Sequence, residues 1–216
     1  MTVSKHSSFL QHHFDDMHQQ QEASTLGMWL FLITEILFFG GLFAGYTVYR
    51  TMYPQAFQAA SNHMNVPLGA FNTLILISSS LTMVLAVHEA KLGNRRGLIR
   101  NLLLTILLGA GFLGIKYVEY HDKFVHHLVP GTHFSFPAFD GPGTQLFFSF
   151  YFAMTGLHAF HMVIGMIFLA IFIRQARRGR FSAEYNTPVD MIGLYWHFVD
   201  IVWIFLFPLL YLIERH

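Results

Sequence analysis

The sequence predicts an all-α bundle that crosses a membrane with five transmembrane helices, and three observations support that. Of 216 residues, 54% are hydrophobic and only 12% charged, whereas a soluble domain carries about 25% charged residues. The chain holds 24 Phe, which leaves too little polar side chain to cover a water-exposed globule. Apolar runs of spanning length recur at Leu26–Tyr49, Leu68–Val87, Leu98–Val118, Gln145–Ile173 and Val189–Ile213. About 20 residues at 1.5 Å each cross about 30 Å of hydrocarbon. Backbone groups find no water there, so each run is helix or barrel strand. Continuous apolarity at this length excludes strands, which alternate over about 10 residues.

The same composition excludes an ordinary soluble enzyme and a disordered chain. A net charge of +1 gives no basic field to hold a nucleic acid. Without cysteine there are no disulfides, thiolate metal sites, Cys nucleophiles or c-type haem attachment. Residues 1–25 are polar, contain no apolar core and read as a soluble cytoplasmic arm, not a signal peptide. Residues 26–213 form the five-helix transmembrane domain.

Orientation follows from Lys and Arg. Lys5, Lys91, Arg95, Arg96, Arg100, Arg174, Arg177, Arg178 and Arg180 fall on one side, against Arg50, Lys116, Lys123 and Arg215 on the other. This places the N-terminus in the cytoplasm and the C-terminus in the periplasm. Outer loops carry Val129-Pro130-Gly131 and Asp140-Gly141-Pro142-Gly143, which are turn signals. Tyr49 and Tyr53 fall at an interfacial aromatic belt. Gly41-xxx-Gly45 and Ala110-xxx-Gly114 are candidate helix contacts.

Ionisable groups inside a span are costly and point to function or partner contact. Glu35 lies about 14 Å from the inner end of its helix, His197 about 12 Å, Asp200 about 16 Å and His161 about 18 Å. With His158 and Ser78–Ser80 they make one polar layer. His197 and Asp200 share a helix face, as do His158 and His161, so Asp200 is a candidate to fix the His197 tautomer. Glu119 and His121, and His88 and Glu89, fall near span ends and read as interfacial. Three readings of the layer stand open: hydrogen bonds that fix the bundle, a proton-handling or lipid-contacting carboxylate at Glu35, or a metal or haem site. Glu35 has Phe31, Phe38 and Phe39 as its helical neighbours, a costly setting for an unpaired carboxylate. No metal ligand is assigned.

Several segments resemble one family. Tyr195-Trp196-His197-Phe198-Val199-Asp200-Ile201-Val202-Trp203 resembles the last-helix signature of subunit III of haem–copper oxidases. Thr34-Glu35-Ile36-Leu37-Phe38-Phe39 is similar to its Glu-bearing helix. Gly114-Ile115-Lys116-Tyr117-Val118-Glu119-Tyr120 and Thr155-Gly156-Leu157-His158-Ala159-Phe160-His161-Met162-Val163-Ile164-Gly165 resemble two further helices, in the family's order. With five helices the chain resembles the short bacterial form, which lacks the first two helices of the long form. Those two help to enclose a cleft for phospholipids, so an enclosed cleft is in doubt here.

The resemblance implies an accessory subunit without redox cofactors. Haems and copper belong to partner subunits, and bound phospholipid is expected. Subunit I is the direct packing partner, with subunit II and small subunits in the same complex, and a respiratory supercomplex is open. The complex would reduce oxygen to water and pump protons across the bacterial inner membrane. The electron donor, cytochrome c or quinol, is set by other subunits. By match, Glu35 is the first candidate for a proton-handling role. His158, His161, His197 and Asp200 carry over as structural or lipid-contact positions, and no residue is assigned as catalytic.

Two surface groups extend this reading. His6, His12, His13 and His18 on the arm are a candidate proton antenna, against a solvated tail that docks on another subunit. Arg95, Arg96, Arg174, Arg177 and Arg178 are candidate lipid-headgroup contacts, each worth about 1 kcal/mol near an anionic surface; the orientation bias explains the same residues. Other classes are an accessory protein of nitric oxide reductase, a free-standing ion transporter using the polar layer, and a haem-binding electron carrier. Against transport, the sequence has no inverted repeat or broken helix pair; Pro208 is the one well-embedded proline.

Overall fold

Each apolar run becomes a helix; four of the five outrun their runs at both ends, and the last matches its run in length, shifted toward the N-terminus. A computed structural model describes residues 14–132, 134–139 and 143–213. In order, the helices are α1 (Met17–Met52), α2 (Pro54–Asn62), α3 (Val66–Lys91), α4 (Arg95–Val125), α5 (Thr144–Arg177) and α6 (Thr187–Tyr211). All but α2 are long and apolar enough to span a membrane. Short α2, which the hydropathy pattern does not announce, follows α1 directly, with Pro54 at its start, where a missing N–H costs nothing.

Capping side chains set where helices start. Asp16 accepts from the Gln19 amide at 2.7 Å, so α1 begins inside the polar arm and runs through residue 25 without a break. Its 36 residues make a rod of about 54 Å, longer than the hydrocarbon is thick. Asn65 and Asn94 cap α3 and α4. Between α3 and α4, Gly93 turns the chain at φ 69°. Gly143 precedes α5 at φ 106°, and a Cβ there would stand 2.7 Å from the Tyr53 side chain.

Helices α3, α4, α5 and α6 close a ring in which each touches the next, and α6 returns to α3. Helix α1 lies outside the ring, against α5 and α6 only among the long helices. In the spanning window 56% of α6 is buried, against 11% of α1. Lipid supplies no hydrophobic drive between helices, so close packing and hydrogen bonds must hold them. Trp196 shows how. A Cβ on Gly109 of α4 would stand 3.1 Å from its ring, and one on Gly165 of α5 2.9 Å. Its indole N–H donates to Ser79 of α3 at 3.1 Å. One side chain thus touches all three partners of the ring. The expected small-residue contacts behave differently. No atom of another helix lies within 4 Å of a Cβ on Gly41 or Gly114, Ala110 is exposed, and Gly45 meets Phe150 at ordinary distance. Gly41, Ala110 and Gly114 thus turn away from the other helices, and Gly45 alone of the four meets one, through Phe150 of α5.

The end of α6 is closed by other helices. Tyr46 of α1 donates to the Leu209 carbonyl, and Ser61 of α2 to that of Leu210 at 3.1 Å. Both carbonyls fall in the last turn, which has no intrahelical donors. At the opposite end of the bundle, Arg95 and Arg96 start α4 while Arg174, Arg177 and Arg178 finish α5 and follow it, all exposed. Lys91 pairs there with Asp190 at 3.2 Å, across α3 and α6.

Candidate functional site

The polar layer read from the sequence separates into three places. The first is a pair across α1 and α5: Glu35 Oε2 lies 3.1 Å from His161 Nε2, with side-chain exposures of 18% and 10%. His161 Nδ1 is 2.9 Å from the Leu157 carbonyl. A carbonyl only accepts, so Nδ1 carries a proton. Nε2 then either accepts from a protonated Glu35 or, as imidazolium, donates to the carboxylate. Either way the two side chains hold one shared proton at the contact, placed on one or the other. Of the phenylalanines around Glu35 in sequence, only Phe39 walls the pair, its ring 5.4 Å from the imidazole. Phe38 points outward at 53% exposure, and Phe31, 40% exposed, turns instead toward Tyr195 of α6, its ring centre 6.1 Å from that of the tyrosine.

The second place joins α6 to α3. His197 Nδ1 is 2.7 Å from Ser80 Oγ. Asp200 also stands beside Ser80, buried, with neither oxygen in normal hydrogen-bond geometry. The expected contact of Asp200 with His197 does not form. Both side chains reach Ser80 on α3 instead, and a short Asp side chain one turn along cannot also close on the ring. His158 is the third place. It diverges from His161, although three residues separate them, and packs between Phe112 and Trp203 at 5.3 and 5.4 Å. Neither of its nitrogens has a hydrogen-bond partner among the described residues.

A fourth cluster was not singled out by the sequence reading. Glu119, expected at the interface, is 4% exposed and accepts from Lys116 Nζ at 2.9 Å. Lys116 also donates to the Tyr211 hydroxyl at 2.7 Å, and Tyr211 donates to Glu119 Oε1. The ammonium sits 4.6 Å from the Trp203 ring centre, a cation–π contact. This ties α4 to α6 in the half of the bundle away from its arginine-rich end, with Tyr151 of α5 alongside. The available signal was Lys116-x-x-Glu119, opposite charges at i,i+3 on one helix face. Counting depth from the end of the apolar run hid it, since α4 continues to Val125.

His121 is exposed, as expected of an interfacial residue. His18 is exposed and faces Glu22 at 3.6 Å; His6, His12 and His13 lie outside the described residues. Among the described residues, no group of three or more His, Asp or Glu side chains is placed to hold a metal. The chemistry these arrangements support is proton holding and interhelical bonding.

Residues 2–214 match the family model for cytochrome c oxidase subunit III. The chain belongs to that family. It is 36% identical to cytochrome c oxidase subunit 3 of Thermostichus vulcanus over 93% of this chain and 92% of that one. Against the cytochrome bo(3) ubiquinol oxidase subunit 3 of Pseudomonas putida it is 31% identical, over 91% of this chain and 88% of the relative. It is also 33% identical to cytochrome c oxidase subunit 3 of Loxodonta africana, over 97% of this chain and 76% of that longer protein. As a subunit III protein with five spanning helices it is a multi-pass membrane component of an oxidase complex.

Proposed function

We propose that this chain is the non-catalytic third subunit of a haem–copper terminal oxidase in a bacterial inner membrane. It packs on subunit I, steadies it during turnover, and supports proton uptake from the cytoplasmic side. The observation that carries this is the Glu35–His161 pair at 3.1 Å, a one-proton store built across two helices inside a family of oxidase subunits. The basic end of the bundle, with Arg95, Arg96, Arg174, Arg177 and Arg178, is the cytoplasmic face in this reading and meets lipid phosphates. Relatives named for cytochrome c and for quinol match comparably, so the donor is read by the partner subunits.

The test is the Glu35→Gln variant in the assembled oxidase. Gln can donate to the bare Nε2 of His161, so the contact survives while the shared proton is lost. Proton uptake at alkaline pH should slow several-fold, with the chain still bound and the pigment spectrum unchanged. Uptake equal to that of the parent complex would remove Glu35 from proton handling. Release of the chain from the complex by this variant would make the pair a structural bond instead.

A further inference from the structure

The Glu35–His161 pair spans two helices that a third holds together. Among the long helices α1 touches only α5 and α6, and α6 makes an aromatic contact one turn to either side of Glu35. On one side Phe39 packs on Phe198, with ring centres 6.2 Å apart. On the other, Phe31 packs on Tyr195 at 6.1 Å. Only the second contact carries a polar atom. The Tyr195 hydroxyl crosses to α5 and donates to the His161 carbonyl at 2.9 Å.

That reach depends on a missing side chain. A Cβ on Gly165, one turn after His161 in α5, would stand 3.1 Å from the Tyr195 ring, so the ring lies close over the helix backbone. The His161 carbonyl has two lone pairs. One takes the Gly165 amide in the α5 ladder, and the other takes the phenol. Tyr195 is 5% exposed, and a buried phenol needs such a partner.

His161 is thereby held at three points. Tyr195 holds its carbonyl from α6, the Leu157 carbonyl holds Nδ1 at 2.9 Å, and Nε2 meets Glu35 at 3.1 Å. The first two contacts fix where the imidazole sits on α5. Tyr195 also bears on α1, since its ring meets Phe31 while its hydroxyl is anchored on α5. A hydrogen bond weakens steeply with poor length and angle, so the hydroxyl defines this spacing more sharply than ring contact alone. We infer that Tyr195 is a positioning residue for the Glu35–His161 pair, its hydroxyl holding His161 and the spacing of α1 from α5 where the two side chains can share a proton. This rests on the proton-holding role proposed above for the pair, and Tyr195 itself passes on no proton.

The test is Tyr195→Phe in the assembled oxidase, a change that keeps the ring and removes only the donor. One readout is geometric: the solid-state NMR dipolar coupling between isotope-labelled glutamate carboxyls and histidine ring nitrogens, taken as the part that disappears when Glu35 is replaced by unlabelled Gln. The other is the rate of proton uptake at alkaline pH. Tyr195→Phe should lose part of that coupling and slow uptake about two- to tenfold, the worth of one neutral hydrogen bond. Added to Glu35→Gln, it should slow uptake no further. A general structural defect would slow uptake alike with and without Glu35, and that result overturns the inference. So does full coupling in Tyr195→Phe, or failure of that variant to assemble, which would make the hydroxyl a structural bond. Lost coupling with uptake untouched by either variant upholds the positioning and removes only the proton-handling reading of the pair.

Discussion

Glu119→Leu is the most informative single perturbation of this bundle. It leaves the Lys116 ammonium, itself 5% exposed, with a tyrosine hydroxyl and ring faces but no counter-charge. Breaking a buried pair by removing one partner costs about 3–5 kcal/mol. The Trp203 contact at 4.6 Å persists and offsets part of this. The unfolded chain in a membrane also finds polar partners, which lowers the difference further. The expected loss is therefore about 3 kcal/mol, and Lys116→Met should cost a similar amount. The double variant removes both charges, takes the Lys116 donor from Tyr151 and orphans the Tyr211 hydroxyl, at about 1–3 kcal/mol. Adding Tyr211→Phe removes that orphan too. Stability should thus rise from either single variant to the double and again to the triple. The assay is SDS titration in mixed micelles followed by tryptophan fluorescence, since Trp203 reports on the cluster directly. Additive single effects, with no coupling of about 3 kcal/mol or more in the cycle, would refute the reading of this cluster as a mutually dependent ion pair.

Gly165→Ala should destabilise by about 1–3 kcal/mol, because its Cβ would meet the Trp196 ring at 2.9 Å; Gly114→Ala, with open space around it, should stay within about 0.5 kcal/mol. Thermal release of the chain from the complex measures both. Lys91→Ala should cost less than about 1 kcal/mol, since the pair with Asp190 has a half-exposed lysine. His63, in the turn after α2, titrates below its ordinary value through partial burial first and the nearby Lys123 second, with Asp122 opposing. An NMR titration should show this, and Lys123→Met should move the value back up. A depressed folded value favours the neutral ring, so this contribution is present above the unfolded value near 6.5 and fades as pH falls below it.

Hydropathy alone placed the five long helices, because each needs only length and apolarity to be recognised. What it could not place was direction around each helix axis. Glu35, His161, His197 and Asp200 were all found at one depth, yet what divides them comes from helix packing: Glu35 and Phe39 of α1 meet His161 of α5, while Ser80 of α3 meets His197 of α6. Glu119 shows the same limit along the axis. Its ion pair with Lys116 was visible as a spacing, but burial depended on Tyr211 arriving from α6, 92 residues on. The glycine motifs failed for a related reason. A small-residue spacing says that a close approach is permitted, and only the partner's rings decide whether one occurs; Trp196 chose Gly109 and Gly165.

The position of the Glu35 pair gives it a leverage that its strength alone would not. In lipid, apolar contact between helices gains little over contact with acyl chains, so the polar bonds of a lateral helix carry a larger share of its attachment. Helix α1 is tied to the ring by Tyr46 on the Leu209 carbonyl near one end and by Glu35 on His161 toward the other. Moving the shared proton between carboxylate and imidazole, or losing it, changes one of these two ties. A neighbour that bears on the exposed side of α1 and the proton on the pair therefore act on the same seam. Coupling between two such events is reciprocal: if proton state shifts how α1 seats against the ring, then seating α1 against a partner subunit shifts where the proton resides.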